Sequence, residues 1–149
     1  MSVKRGSWIA VGLCALALGC GGPFLLLPGG ELSGETAAAP DDWSLLRETK
    51  TVQLETNPAD PYSVNIWAIG MGDVAYVHAG TSRSTWVEHM EVDPKVRMRV
   101  EGTIYELAAS RVEGQEEFDR FADAYEEKYG RRPRNEDVGE AYLFRLAAR

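Results

Sequence analysis

The apolar positions between Gly80 and Val100 follow two periods in succession. Trp86 and Met90 recur at helical spacing, and Pro94 ends that helix because the residue before a proline is pushed out of helical geometry. From Lys95 to Val100 polar and apolar residues then alternate, which is the period of a half-buried strand. The stretch therefore predicts a short helix followed directly by a strand.

The same alternation recurs in five other segments, and one long amphipathic segment precedes the last of them. The further strands are predicted at Thr49–Thr56, Tyr62–Ile69, Val74–Ala79, Thr103–Val112 and Ala141–Leu146. Gly114–Tyr129 is predicted as a helix, because its aromatic residues recur at spacings of three and four. About six antiparallel strands with one short and one long helix predict a mainly β fold that forms a closed or nearly closed barrel.

The N-terminus carries an uncharged run with an apolar core from Trp8 to Leu27, preceded by Lys4 and Arg5. One interpretation is an uncleaved helix of about 20 residues that spans a bilayer. The other is a lipoprotein signal, because Ala17–Cys20 resembles a lipobox in which Cys20 becomes the lipidated first residue. In both cases the positive charges keep the N-terminus inside, so the rest is predicted to lie outside the cytoplasm on the periplasmic or extracellular face.

Three regions follow from these patterns. Residues 1–30 form the membrane anchor or lipoprotein signal, residues 31–41 a flexible linker, and residues 42–149 the barrel domain. The linker is predicted from its Gly, Ala, Ser, Pro and acidic content.

Composition narrows the chemistry of the domain. The formal charge of −7 argues against nucleic acid as a partner, because phosphate affinity needs a basic face. Cys14 and Cys20 both lie in the N-terminal run, so neither a disulfide framework nor a cysteine metal site is predicted in the domain. His78 and His89 are the two histidines, and no metal site is predicted from them. The sequence shows no recognisable nucleophile–base pair, so hydrolase chemistry has no support.

The loop Gly80–Ser84 is the first candidate site. Gly80 lets a backbone approach a phosphate, the hydroxyls of Thr81, Ser82 and Ser84 donate hydrogen bonds, and Arg83 can pair a phosphate bidentately. The alternative is a solvated loop in which Ser82 or Ser84 caps the next helix.

Other residues join this candidate site, each with a structural alternative. Trp86 is a candidate wall for a ring or a core residue, and His78 is a candidate ring contact or a satisfied buried histidine. Lys95 and Arg97 share a strand face that either meets a phosphate or is simply exposed to water. Ser63 and Asn65 are predicted to point towards a ligand, whereas the basic cluster at residues 131–134 is predicted to lie in solvent.

This order resembles the split β-barrel flavin-binding superfamily, which includes pyridoxamine-phosphate-oxidase-like proteins and deazaflavin-dependent nitroreductases. Three segments carry the resemblance: the strand and small-residue loop Asp73–Ser84, the tryptophan helix Trp86–Pro94 and the hairpin Val96–Val112. Together they are distinctive, and the similarity covers about Thr49 to Tyr129.

The resemblance implies a cofactor, FMN or a deazaflavin, and an oxidoreductase that transfers hydride to a small organic acceptor. It also implies a homodimer. Thr81, Ser82 and Arg83 would hold phosphate, helped by Lys95 or Arg97. Because Thr56–Pro61 has no cation where these families hold phosphate, a second interpretation stays open: a non-enzymatic ligand-binding or structural envelope protein on the same barrel.

Overall fold

The computed structural model describes residues 22–149 of the chain, which form eight strands and two α-helices. The strands are β1 (Glu35–Ala37), β2 (Val52–Thr56), β3 (Tyr62–Ile66), β4 (Ala68–Met71), β5 (Val74–His78), β6 (Lys95–Val100), β7 (Thr103–Arg111) and β8 (Leu143–Ala148). The helices are α1 (Thr85–Val92) and α2 (Gln115–Tyr129), and Trp43–Arg47 forms a 3-10 helix. None of the helices within the described range is long and apolar enough to cross a membrane.

A single curled sheet contains all eight strands, in the order β3-β2-β6-β7-β8-β5-β4, with β1 beside β7. The long strand β7 belongs to both halves, because Thr103–Ala108 pairs with β6 and Leu107–Arg111 pairs with β8. Since β8 leaves the first residues of β7 uncovered, β1 pairs there in parallel with Thr103–Tyr105. The neighbours along the main path are antiparallel, and the fold is the mainly β split barrel that the sequence predicts.

The predicted strand Tyr62–Ile69 is two strands, and the break explains the curl. Its halves, β3 and β4, lie at opposite ends of the sheet order, yet Trp67 alone connects them. Because one residue bridges the two edges, the sheet must bend until these edges come close. The indole of Trp67 stacks on Tyr129 of α2, with ring centroids 4.3 Å apart and planes 10° apart.

Two clusters of buried side chains stabilise the domain. In the first cluster, alternate residues on the inner face of the sheet, such as Leu54, Met98 and Val77, pack together with Trp43. On the outer face of β5 and β8, α2 buries its apolar stripe in a second cluster. This helix ends at Gly130, whose φ of 74° is a left-handed conformation that glycine adopts without strain.

The segment predicted as a flexible linker contributes to the fold. Part of it forms β1, and Leu32 is 1% exposed. Residues 22–33, called the N-terminal segment below, cross the outer face of β3, β2 and β6. The reason is that polar side chains on this face bind the main chain of the segment, an interaction that composition does not reveal.

The apolar run predicted to continue through Leu27 forms a turn at its end. The backbones of Phe24 and Leu27 exchange two hydrogen bonds, of 3.1 and 2.9 Å, so these last four residues are not helical. Residues 1–21 of the predicted anchor, which include the candidate lipidation site Cys20, lie outside the described residues.

Candidate functional site

A cleft of about 510 Å³ lies between the β3–β4 junction and helix α2. Its volume falls in the range of about 300–1,000 Å³ that is usual for small-molecule sites. The cleft beside His78, as it is called here, is lined by Leu25, Leu26, Thr51, Asn65, Ile66, Trp67, His78 and Tyr125. Two aromatic rings and one imidazole therefore face a space large enough for a flat heterocycle.

The two aromatic rings are fixed by neighbours rather than left mobile. Trp67 is held by its stack on Tyr129, and its centroid lies 5.9 Å from that of Tyr125. Tyr129 in turn donates its hydroxyl to the Ala68 carbonyl at 3.1 Å, which ties the end of α2 to the start of β4. A ligand ring would thus meet walls that are already ordered.

His78 faces α2 because it shares the outward parity of Tyr76 on β5. Its ring lies 5.6 Å from Phe121 and 6.1 Å from Tyr125 between centroids. Burial in this aromatic environment lowers the pKa of His78 to about 4. The imidazole is therefore neutral at pH 7.

The hydrogen bond of His78 determines its tautomer. The Gly80 backbone N–H donates to Nε2 at 3.2 Å, so the ring proton is assigned to Nδ1. Gly80 has a φ of +59°, which lets the chain turn back towards the ring. The imidazole can thus offer one neutral N–H donor to a bound molecule.

Arg131 does not line the cleft itself but contacts Trp67, one of the residues that do. Its guanidinium carbon lies 5.1 Å from the centroid of Trp67, a cation–π contact. It also acts on Tyr125, whose pKa is raised by burial while the charge of Arg131 opposes that rise. Arg131 is exposed, as the sequence predicts, and it also packs against an aromatic ring.

Three of the predicted ligand-binding side chains instead bind carbonyl groups of the N-terminal segment. These hydrogen bonds are Ser63 Oγ to Gly30 O at 2.7 Å, Asn65 Nδ2 to Leu25 O at 2.7 Å, and Arg97 Nη2 to Leu32 O at 2.8 Å. Asn65 nevertheless lines the cleft beside His78. The polar face of β3 and β6 is therefore largely occupied by the chain itself.

Lys95 and Arg97 lie in a second, smaller groove of about 210 Å³. Glu55 accepts two hydrogen bonds from Arg97, at 2.8 and 2.7 Å, and this pairing raises the pKa of the arginine. Carboxylates also line the groove at Glu31 and Glu106. The positive charge expected to hold phosphate is thus already balanced by acidic neighbours.

The hydroxyl loop lies on the surface between β5 and α1. Thr81, Ser82 and Arg83 are exposed, and Arg83 Nη2 pairs with Glu91 at 2.7 Å. Ser84 occupies the N-cap position of α1, but its side chain makes no capping hydrogen bond. The loop adjoins the cleft beside His78 only through Gly80.

Trp86 is a core residue in this structure. It is 7% exposed, and its ring makes an edge contact with Phe144, with centroids 6.3 Å apart. It is not among the residues that line the cleft beside His78. The eleven candidate residues are consequently spread over the cleft, the segment-covered face, the surface loop and the core.

Sequence reasoning missed Trp67, Tyr125 and Arg131 as site residues. One signal was available. Trp67 falls on the same face of the predicted strand as Ser63 and Asn65, and that face was assigned to the ligand. No pattern in the sequence predicts that the end of α2 packs against that face of the strand.

The comparisons with known proteins agree on the fold. Neither a protein-family model nor a curated protein matches the sequence. Several solved structures match the fold. A protein from Bacteroides thetaiotaomicron named for 5-nitroimidazole antibiotic resistance is 13% identical, with a TM-score of 0.55, over 69% of this chain and 75% of its own. A protein from Listeria innocua named as a pyridoxamine 5'-phosphate oxidase is 14% identical, with a TM-score of 0.54, over 70% and 87%.

A third neighbour is an FAD-binding protein from Mesorhizobium loti. It is 13% identical, with a TM-score of 0.50, over 70% of this chain and 84% of its own. At these identities the likeness establishes the architecture, and it confirms the split-barrel fold implied by the sequence resemblance.

Proposed function

We propose that this chain is a membrane-tethered protein that binds a flavin or deazaflavin cofactor in the cleft beside His78 and acts as an oxidoreductase on a small organic acceptor. The observation that carries the proposal is an aromatic-walled cleft on a split barrel, a fold that one neighbour uses to bind FAD. The proposal includes a homodimer and a domain outside the cytoplasm.

The residues of the cleft fit the chemistry of a flavin. Trp67 and Tyr125 would line one side of the flat ring system, and the neutral Nδ1–H of His78 would donate to a ring acceptor. Arg131 would hold the phosphate, because it is exposed and its guanidinium lies against Trp67, which lines the cleft. When bound, the cofactor supplies the hydride chemistry, while these residues bind and orient it.

Titration with flavins tests the assignment. The full-length chain in detergent is titrated with FMN and with riboflavin, which lacks the phosphate, and flavin fluorescence is followed. Arg131→Ala should weaken FMN binding by about 1.5–3 kcal/mol, which is about ten- to a hundredfold in Kd, and leave riboflavin binding nearly unchanged.

Arg83→Ala is the matched control, because Arg83 is also an exposed arginine but lies on the hydroxyl loop. Its FMN affinity should equal that of the parent chain. A loss in Arg83→Ala with none in Arg131→Ala would move the phosphate site to the loop Gly80–Ser84. Absence of saturable binding for every flavin, the deazaflavin included, would end the proposal.

A second candidate is ligand binding without redox chemistry. It is favoured by one observation: both arginines expected at the phosphate, Arg83 and Arg97, are paired with carboxylates. The two functions differ in turnover. If photoreduced FMN on the protein reoxidises with 4-nitrobenzoate no faster than free reduced FMN, the non-enzymatic function is correct.

A further inference from the structure

Phe24–Leu27, called the apolar turn below, exposes four large hydrophobic side chains in succession. Phe24 is 71% exposed, Leu25 72%, Leu26 99% and Leu27 66%. Soluble proteins rarely leave a contiguous apolar patch in water unless it meets a partner or a membrane. Val92 is another strongly exposed apolar residue of the described range, and it lies apart at the end of α1.

The apolar turn is held to the sheet by its backbone and not by its side chains. Asn65 Nδ2 donates to the Leu25 carbonyl at 2.7 Å, and Gly29 and Ser63 exchange two backbone hydrogen bonds of 2.8 Å. Pro23, just before the turn, is buried. The main chain of the turn is thus tied to the sheet at the Leu25 carbonyl, while all four apolar side chains stay largely exposed.

The sequence before the turn indicates what covers it. The turn is the end of the uncharged run that follows Lys4 and Arg5, and Cys20 precedes Phe24 by four residues. Four residues reach at most about 14 Å when fully extended. Whether the run spans the bilayer or Cys20 carries a lipid, the apolar turn must therefore lie close to the membrane surface.

We propose that the apolar turn inserts into the surface of a lipid bilayer and orients the domain so that the cleft beside His78 opens at the lipid. Leu25 and Leu26 belong both to the turn and to the lining of the cleft, so a turn seated in lipid places the cleft entrance at the same depth. This inference rests on the proposed function only for the membrane tether.

Fluorescence in proteoliposomes tests the insertion. The full-length chain is reconstituted into vesicles of equal parts phosphatidylethanolamine and phosphatidylglycerol. An environment-sensitive dansyl amino acid replaces Leu26 in one sample and Val92 in the matched control. The probe at position 26 should shift to shorter wavelength and be quenched by doxyl-labelled lipid, whereas the probe at position 92 should keep its aqueous emission.

Each other outcome overturns the inference in a distinguishable way. If the chain floats with vesicles but both probes emit as in water, the turn is not in the lipid. If the probe at position 26 shifts without quenching by doxyl lipid, a protein, such as a second copy of the chain, covers the turn. If the chain does not float with vesicles, the tether fails as well, while flavin binding is decided separately by the titration in detergent.

Discussion

Protonation of His78 should destabilise the fold, because the native state holds this ring neutral. The pKa of His78 falls from 6.5 to about 4 through burial among Phe118, Phe121 and Tyr125. Between these two pH values the unfolded chain binds a proton that the folded chain does not. The contribution of His78 to the unfolding free energy is therefore constant above about pH 6.5 and falls as the pH drops towards 4.

The size of this effect follows from the shift. A difference of about 2.5 pKa units, at about 1.4 kcal/mol each, corresponds to about 3 kcal/mol of stability lost between pH 6.5 and pH 4. This is a large part of the total stability of an ordinary domain, which is about 5–15 kcal/mol. The loss should therefore be visible as an early acid transition.

Urea unfolding of the full-length chain in non-ionic detergent measures this loss of stability. The comparison is with His78→Gln, which cannot titrate and retains a side-chain oxygen that can accept the Gly80 N–H. The stability of the parent chain relative to this variant should decline by about 3 kcal/mol from about pH 7 to pH 4. His89→Gln is the control, and it should leave that decline in place.

Proton NMR gives an independent readout, because the chain has two histidines and His89→Gln assigns the remaining ring. Parallel stability curves for the parent and His78→Gln, together with an imidazole that titrates near its ordinary pKa of about 6.5, would refute the burial of His78 against the aromatic side chains of α2.

Two further substitutions test the fold around the site. Glu55→Gln should lower the unfolding free energy in urea by about 3 kcal/mol, because Glu55 is 5% exposed and its loss of charge removes the buried partner of Arg97. Glu106→Gln is the control. Glu106 forms an exposed pair with Arg149, so this substitution should cost less than about 1 kcal/mol. Equal costs would contradict the buried pairing. Gly70→Ala should destabilise by about 1–3 kcal/mol, because an added Cβ would overlap the main chain of Trp43; an unchanged urea midpoint would show that this close approach does not exist.

Local patterns predicted much of the fold. The helix Gln115–Tyr129 was predicted within one residue, because its buried face repeats at helical spacing and Gly130 ends it. The strand Lys95–Val100 was predicted with its observed bounds, since each inward residue is buried and each outward one is polar. In both segments the residues that decide the structure are neighbours in sequence, so periodicity was sufficient.

Longer-range causes were invisible to periodicity. No glycine or proline interrupts the segment from Tyr62 to Ile69, yet the strand breaks at Trp67. It breaks because the curl of the sheet sends the chain to its other edge, where the indole stacks on Tyr129. Glu35–Ala37 forms a strand although its composition is that of a linker. It does so because the first residues of β7 offer an unpaired edge that β8 does not reach.

The same distinction applies to the candidate site. The alternation of side chains identified the outward polar face of β3 and β6 as a binding face. In the structure, the side chains of this face bind carbonyl groups of the N-terminal segment. Side chains that already donate to a backbone gain little by binding a phosphate, because the exchange must first break those bonds. Ligand binding is therefore expected where side chains face open space and remain uncommitted. That condition is met at the cleft by the Nδ1–H of His78, and the exposed Arg131 lies nearby against Trp67. For this reason we expect the phosphate of a bound flavin at Arg131 and not at Arg97.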